Sequence, residues 1–281
     1  MAHDLPIVFM HYGRGPYLPF TGGRAQMLNL DSPIILIGDD LSRGCLPFAH
    51  YVPLNDYAHR AVDLEKVYRH VSSNSENSER FCFQRWFILR DFMRRHSLSQ
   101  VIHLDSDVLI NVNVQAERER WGDYGLTLVR RVCAGNMFVN GIEMLDALCE
   151  IIWSLYNGPG HEDRFAAALA RRGGMSDMTA LDMLFDEHPT RIAEMTGVQP
   201  DGSYWDANIN EDEGFEHNGQ IKAVRWVDGR PYCREVATGR DVFFKSLHYQ
   251  GMAKKQVESA FRRAYPNLAG IAAGEQVARA A

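Results

Sequence analysis

Val101-Ile102-His103-Leu104-Asp105-Ser106-Asp107-Val108-Leu109-Ile110 is the stretch on which the reading of this chain turns. A short, mostly apolar run bounded by polar residues predicts a buried strand over 101–104 that feeds straight into Asp105. Two carboxylates then stand at the C-terminal edge of a sheet, where open α/β sheets bind ligands. In extended geometry residues one apart share a face, so Asp105 and Asp107 are expected to point the same way. Two such charges repel unless a cation or a proton neutralises them. A divalent ion is a natural third party, and a hard ion there would bridge to phosphate oxygens.

Upstream, Pro6-Ile7-Val8-Phe9-Met10 predicts a first buried strand ending in the turn-rich His11-Tyr12-Gly13-Arg14-Gly15. Pro33-Ile34-Ile35-Leu36-Ile37 predicts a second, broken by Gly38-Asp39-Asp40, with a helix around 23–30 between the two and a shorter strand over 50–54. Strands alternating with helices at this pace imply a doubly wound α/β sheet. The polar run 72–79 is a loop or a helix entry with Ser78 as cap. A helix follows over 80–96, with Phe81, Trp86, Leu89, Phe92 and Met93 on its apolar face and Arg85, Arg90, Arg94 and Arg95 on its solvated one. Further on come a strand over 124–132 and helices over 141–156, 163–172 and 176–185, the last capped by Ser176 or Asp177. From Gly197 to Gly239 the texture shifts to Gly, Asp, Asn and aromatic residues, with short β pieces over 222–227 and a hairpin turn at Asp228-Gly229. The tail over 275–281 reads as frayed helix. No repeat or linker marks a domain boundary.

The bulk numbers exclude several classes. With 281 residues, 46% apolar and 23% charged, the chain can bury a sizeable core and is neither disordered nor fibrous. A net charge of −6 argues against a nucleic-acid binder. Five scattered cysteines without a Cys-x-x-Cys pair suit reduced thiols, not a disulfide framework or zinc knuckle. No span approaches the roughly 20 apolar residues of a membrane helix, and the N-terminus lacks a secretory pattern, so a cytoplasmic location is expected.

On the residues alone, Asp105-Ser106-Asp107 has three readings: a solvated turn, a metal-binding acidic pair, or the nucleophile loop of a haloacid-dehalogenase-type phosphatase with Asp105 attacking phosphorus. Order disfavours the last, because that loop normally opens its domain and here at least two strands precede it. The downstream acidic pair of those phosphatases is also missing, the nearest similar string being the upstream Gly38-Asp39-Asp40.

Near the other end, His248-Tyr249-Gln250-Gly251-Met252-Ala253-Lys254 resembles the His-x-x-Gly-x-x-Lys motif of the retaining GT-A glycosyltransferases related to glycogenin and to lipopolysaccharide galactosyltransferases, the family-eight-like group. An imidazole can complete an ion's shell beside two carboxylates, a glycine admits a diphosphate close to the backbone, and a lysine just beyond can neutralise it. The resemblance, running from about 7 to 255, implies one GT-A domain: a nucleotide-binding half over 1–110 and an acceptor half over 111–281 that includes a small β-rich C-terminal lobe. It implies transfer of a hexose from a nucleoside-diphosphate sugar, a UDP-sugar, with Mn2+ or Mg2+, to an acceptor that is a glycan, lipid, protein or small molecule.

Carried over residue by residue, Asp105, Asp107 and His248 would hold the metal. His11, Tyr12, Gly13 and Tyr17 would hold base and ribose, while Arg85, Ser106, Gly251 and Lys254 would lie along the donor. Asn136 and Asp177 would face the sugar and acceptor. Retention is implied, with no general base named; inversion would make Asp177 the base. A sugar-nucleotide-binding homologue without activity is a third possibility. The chain departs from the pattern at His11-Tyr12-Gly13, where acidic residues are usual, and only partly matches an acidic helix start at Ser176-Asp177. Tyr204-Trp205 and Trp226 are either sugar-stacking rings or core.

Overall fold

The computed structural model describes residues 4–266, so the tail helix expected over 275–281 lies outside them. The first half repeats one pattern: a segment buried on both faces, then a helix that covers it. β1 (Ile7–His11) is buried at every position. α1 (Leu18–Leu28) follows, with Pro19 in its first turn, where the missing N–H leaves no bond unmade. β2 (Ile34–Gly38) is again buried throughout, β3 (His50–Pro53) is partly exposed, and α2 (His59–Val67) and α3 (Glu76–Arg95) lead into β4 (Val101–Asp105). Next come β5 (Val108–Ile110), α4 (Val114–Trp121), β6 (Leu126–Leu128), β7 (Asn136–Val139), α5 (Glu143–Tyr156), α6 (His161–Arg172), α7 (Asp177–Glu187) and β8 (Ile192–Glu194). The last part is mainly strand: β9 (Ser203–Trp205), β10 (His217–Asn218), β11 (Ile221–Lys222), β12 (Arg225–Val227), β13 (Arg230–Arg234) and β14 (Asp241–His248). A 3-10 turn over Gly251–Gln256 and α8 (Val257–Ala264) close it.

Seven strands form the main sheet in the order β3-β2-β1-β4-β7-β6-β8. The first four run parallel, and β7 runs antiparallel to both neighbours. A second sheet, β12-β13-β14-β5, is antiparallel, with β9 added parallel to β14. β4 and β5 therefore belong to different sheets although only Ser106-Asp107 separates them. Register places Asp105 beside Met10 of β1 and Val108 beside His248 of β14. The turn between the two acids is the hinge where the chain steps from one sheet to the other. Behind it the sheets are locked by Phe138 of β7, whose ring meets Trp205 of β9 edge-on at 5.9 Å, both rings wholly buried.

Several local expectations are corrected. The first helix begins at Leu18, not near residue 23, because Pro19 sits in its first turn and starts it early. Ser75, not Ser78, caps α3: its hydroxyl accepts the Ser78 N–H at 3.3 Å, and Glu76 and Glu79 follow in the first turn, facing the positive helix end. Arg94 is exposed, but Arg85 and Arg90 turn inward onto carboxylates, so that face of α3 is not simply solvated. The strand expected over 124–132 survives only as Leu126–Leu128. Arg130 and Arg131 both take positive φ, and the chain turns back so that Cys133 bridges to Val129. Ser106-Asp107 is a turn, so the chain is not extended beyond Asp105, the last residue of β4. Tyr204 and Trp205 are core, not stacking rings. The Asp228-Gly229 hairpin forms between β12 and β13 with both residues at positive φ, as its turn type requires.

Phe138→Ala would leave a cavity between the sheets that the surrounding strands cannot close. We predict a loss of about 3–5 kcal/mol in unfolding free energy, read by urea denaturation; a loss below about 1 kcal/mol would show that the two sheets are not locked there.

Candidate metal centre

β4 ends and the turn begins where four elements meet, and each brings one charged group. Asp105 comes from β4, Asp107 from the turn, His248 from the end of β14, and Lys254 from the 3-10 turn behind it. His248 Nε2 lies 3.3 Å from Asp107 Oδ1 and 3.7 Å from Asp105 Oδ2. One ligand atom from each of the three residues falls within 4.8 Å of the others, a spacing that a single cation can bridge. Lys254 Nζ stands 3.2 Å from the other Asp107 oxygen and over the Tyr17 ring. Gly251, at positive φ, starts the turn that brings this lysine round, a backbone state glycine adopts without strain.

On its far side Asp105 is gripped by Arg85 of α3, which also donates to Asp177 Oδ2 at 2.8 Å. Asp177 accepts the Trp86 indole N–H as well, at 3.1 Å. It is the first residue of α7, whose N-cap is Ser176, where the Thr179 hydroxyl accepts the Ser176 N–H. The capping role is thus Ser176's, and the Asp177 carboxylate is turned to the arginine instead. His103, wholly buried, completes the surroundings of Asp105 with Nε2 at 3.1 Å.

These contacts govern ionisation. Burial pushes the Asp105 carboxyl up, but Arg85, with His103 and His248, outweighs it and holds Asp105 well below the usual carboxylate range. Asp107 is likewise lowered, burial being overcome by His248 and then Lys254. Burial alone would lower His248, but the Asp107 carboxylate raises it well above 6.5. Lys254 is raised by Asp107 against its burial. His11 and His103 go the other way, each lowered chiefly by burial.

Of the remaining expected residues, His11 Nδ1 meets Ser106 Oγ at 3.0 Å, and its ring sits edge-on to Tyr17. The Gly13 N–H donates to both oxygens of Asp39 at 3.1 Å, which ties the loop after β1 to the end of β2. Tyr12 is turned outward, 66% exposed, beside Phe81. Asn136 is buried behind the pair, donating through Nδ2 to Ser246 Oγ at 2.5 Å, while its Oδ1 has no partner. Trp226 lies under Arg24 and packs, partly buried, against the apolar cluster of the C-terminal region.

Sequence reasoning missed His103 and Asp39, which look like ordinary strand and turn residues until the fold sets them beside Asp105 and Gly13. It also missed why Gly135 is a glycine. A β-carbon there would lie 2.6 Å from His248 Cε1 and 2.7 Å from its Nδ1, so the missing side chain is what lets the imidazole reach the acids.

No protein-family model matches the chain, and no curated protein matches its sequence. Among solved structures, the bifunctional glycosyltransferase WbbM shares the fold with a TM-score of 0.52 at 13% identity, over 100% of this chain and 52% of that one. The present chain thus spans about half of that protein's length. Weaker likenesses are to the galactosyltransferase LgtC in complex with donor and acceptor sugar analogues, with a TM-score of 0.48 at 12% identity over 95% of this chain and 99% of that one. Mouse xyloside xylosyltransferase 1 gives 0.47 at 12% identity over 68% and 84%. The architecture is the GT-A fold: a mainly parallel sheet between helices, with further antiparallel strands in the C-terminal region. No helix among the described residues is long and apolar enough to cross a membrane.

Two predictions follow from the geometry. If the three residues hold a divalent ion, Gly135→Ala displaces the His248 ring and is expected to weaken that binding at least about tenfold, read by calorimetric titration, with an unchanged circular dichroism spectrum; undiminished binding would remove His248 from the centre. The second concerns pH. Below about 6.5 the unfolded chain takes up protons on His11 and His103 more readily than the folded protein, in which burial lowers both. Stability therefore falls as pH drops from about 6.5 to about 5 in urea titrations. The contribution of His248, raised in the fold, is fully present in that window and is lost only as pH rises through its elevated value. Stability that is flat or rising on acidification over this window would contradict the assignment.

Proposed function

We propose that this chain is a glycosyltransferase that moves a hexose from a nucleoside-diphosphate sugar, a uridine one, to an acceptor with retention at the anomeric carbon. The observation that carries the proposal is the convergence of Asp105, Asp107 and His248 at the C-terminal edge of the parallel sheet, in a fold shared with a glycosyltransferase. Two carboxylates suit a hard divalent ion such as Mn2+ or Mg2+, and an imidazole can complete its shell. The space left by Gly135 beside His248 fits the same reading, so these residues match the ion the proposal requires. When bound, such an ion supplies positive charge to offset what builds on a departing diphosphate.

The chain's own groups do the rest. Lys254 is neutralised by Asp107 in the free protein; a diphosphate beside the centre offers it a second anion. Arg85 holds Asp105 and Asp177 in fixed relation, so the ligand on one side and the sugar-facing carboxylate on the other are set by one guanidinium. Asp177 and the unpartnered Oδ1 of Asn136 are acceptors for donor or acceptor hydroxyls. His11, Tyr12, Gly13 and Tyr17 are assigned to base and ribose, and Ser106 and Gly251 to the donor's diphosphate side. The division near residue 110 into nucleotide and acceptor halves belongs to the proposal, supported by β5 leaving the main sheet there. Five free cysteines suit a reducing compartment, so a cytoplasmic setting belongs to it too.

The test is to incubate the protein with a panel of nucleotide sugars, with and without Mn2+, and to assay free nucleoside diphosphate and inorganic phosphate. We expect donor turnover that needs the metal and falls at least about a hundredfold in Asp107→Ala. Phosphate release from simple monoesters without donor turnover would instead make Asp105 a phosphatase nucleophile. Nucleotide binding without turnover would leave a binding homologue.

A further inference from the structure

Behind His248 lies a second set of charges that the proposed transfer chemistry does not use. Lys222 of β11 and Asp206, just after β9, are both 0% exposed, with Nζ to Oδ1 at 2.8 Å. Lys222 also donates to the Asn208 carbonyl and to Glu213 Oε2, each at 2.7 Å, so all three of its ammonium protons have acceptors. The other Asp206 oxygen, Oδ2, accepts the main-chain N–H of His248 at 2.8 Å. The same segment grips His248 from its other side, because the Ile209 N–H donates to the His248 carbonyl at 2.9 Å. The Asp206 N–H in turn donates to Ser246 Oγ, which also receives Asn136.

Taking such a pair out of water is expensive, and apolar residues of similar volume often serve stability equally well. What this pair does that apolar residues cannot is give a fixed acceptor to the backbone of one residue at the very end of β14. We propose that Asp206, itself held by Lys222, is the positioning residue for His248. It anchors the main chain of His248 so that Nε2 stays directed at Asp107 and Asp105. This inference rests on the metal-centre reading above.

The fold supplies its own control. Lys245, earlier on the same strand, is also buried and pairs with Glu117 Oε1 at 2.7 Å and Asp201 Oδ2 at 2.8 Å. Its side chain has the same chemistry as Lys222 and its carboxylates make no bond to His248.

The experiment measures Mn2+ affinity of the full chain by the electron paramagnetic resonance of the free ion, at a temperature where circular dichroism shows each protein folded. In Asp206→Asn one oxygen replaces two, so either His248 or Lys222 loses its acceptor; in Lys222→Met the carboxylate loses its anchor. Both are expected to weaken Mn2+ binding by about tenfold or more, whereas Lys245→Met stays within about twofold of wild type even where its melting temperature falls. Folded Asp206→Asn with wild-type affinity, or an equal loss in Lys245→Met, would overturn the positioning role. If Asp206→Asn does not fold, Glu213→Gln at the partly exposed end of the network is read instead, with a loss of about threefold expected and wild-type affinity overturning it. Wild-type protein that leaves Mn2+ free overturns the metal reading and this inference together, and an indifferent Asp206→Asn beside a binding wild type overturns this inference alone.

Discussion

Like charges brought to one buried point must be balanced, and the surroundings of Asp105 and Asp107 are arranged around that requirement. Asp105, Asp107 and Asp177 bring three carboxylates into one region, and Arg85, Lys254 and His248 are the groups that face them. Arg85 alone serves two of the acids, its planar fork turning one N–H donor to Asp105 and another to Asp177. Remove it and both acids lose their guanidinium, leaving Asp105 with His103 and His248 and Asp177 with the Trp86 indole. The same balance explains the opposed ionisation of the local histidines: His248 faces carboxylates and is raised, while His11, facing Lys254 as well as burial, is lowered.

Geometry makes the convergence possible. β4 ends in one sheet and β5 begins in another, so the turn between Asp105 and Asp107 opens at a seam, not against a continuous surface. β14 runs back along β5 and delivers His248 at that seam, and the turn after it brings Lys254. The Asp206–Lys222 pair lies directly behind, so the imidazole is supported from the second sheet and Asp105 from the main one, while Asp107 lies in the turn between, its carbonyl accepting the Tyr249 N–H.

Much of this was readable beforehand where local chemistry decides the outcome. Apolar runs such as Ile7–Met10 and Ile34–Ile37 become buried parallel strands because nothing else accommodates them. Asp105 and Asp107 announce themselves by ending such a run. His248 was linked to them only by a motif resemblance, since no local periodicity reveals a partner so distant in the chain. What stayed hidden depends on long-range packing. Arg85 and Arg90 occupy helix positions that composition assigns to solvent, and only the approach of β4, α7 and α5 turns them inward. Gly135 looks like a loop residue until a ring fills the space where its side chain would be. Lys222 is a charged residue in a short β piece, with no local sign that it is wholly buried. The tight turn at Arg130-Arg131 was invisible because both residues adopt a backbone state usually reserved for glycine or asparagine.

The proposed function requires that Asp105, Asp107 and His248 together hold a divalent ion that also meets a nucleoside diphosphate. Pulsed electron paramagnetic resonance of added Mn2+ tests it most directly. Nitrogen coupling from one bound imidazole is expected, lost in His248→Ala, with phosphorus coupling that appears when uridine diphosphate is added. A spectrum that stays that of the free aqueous ion, with and without the nucleotide, would contradict it.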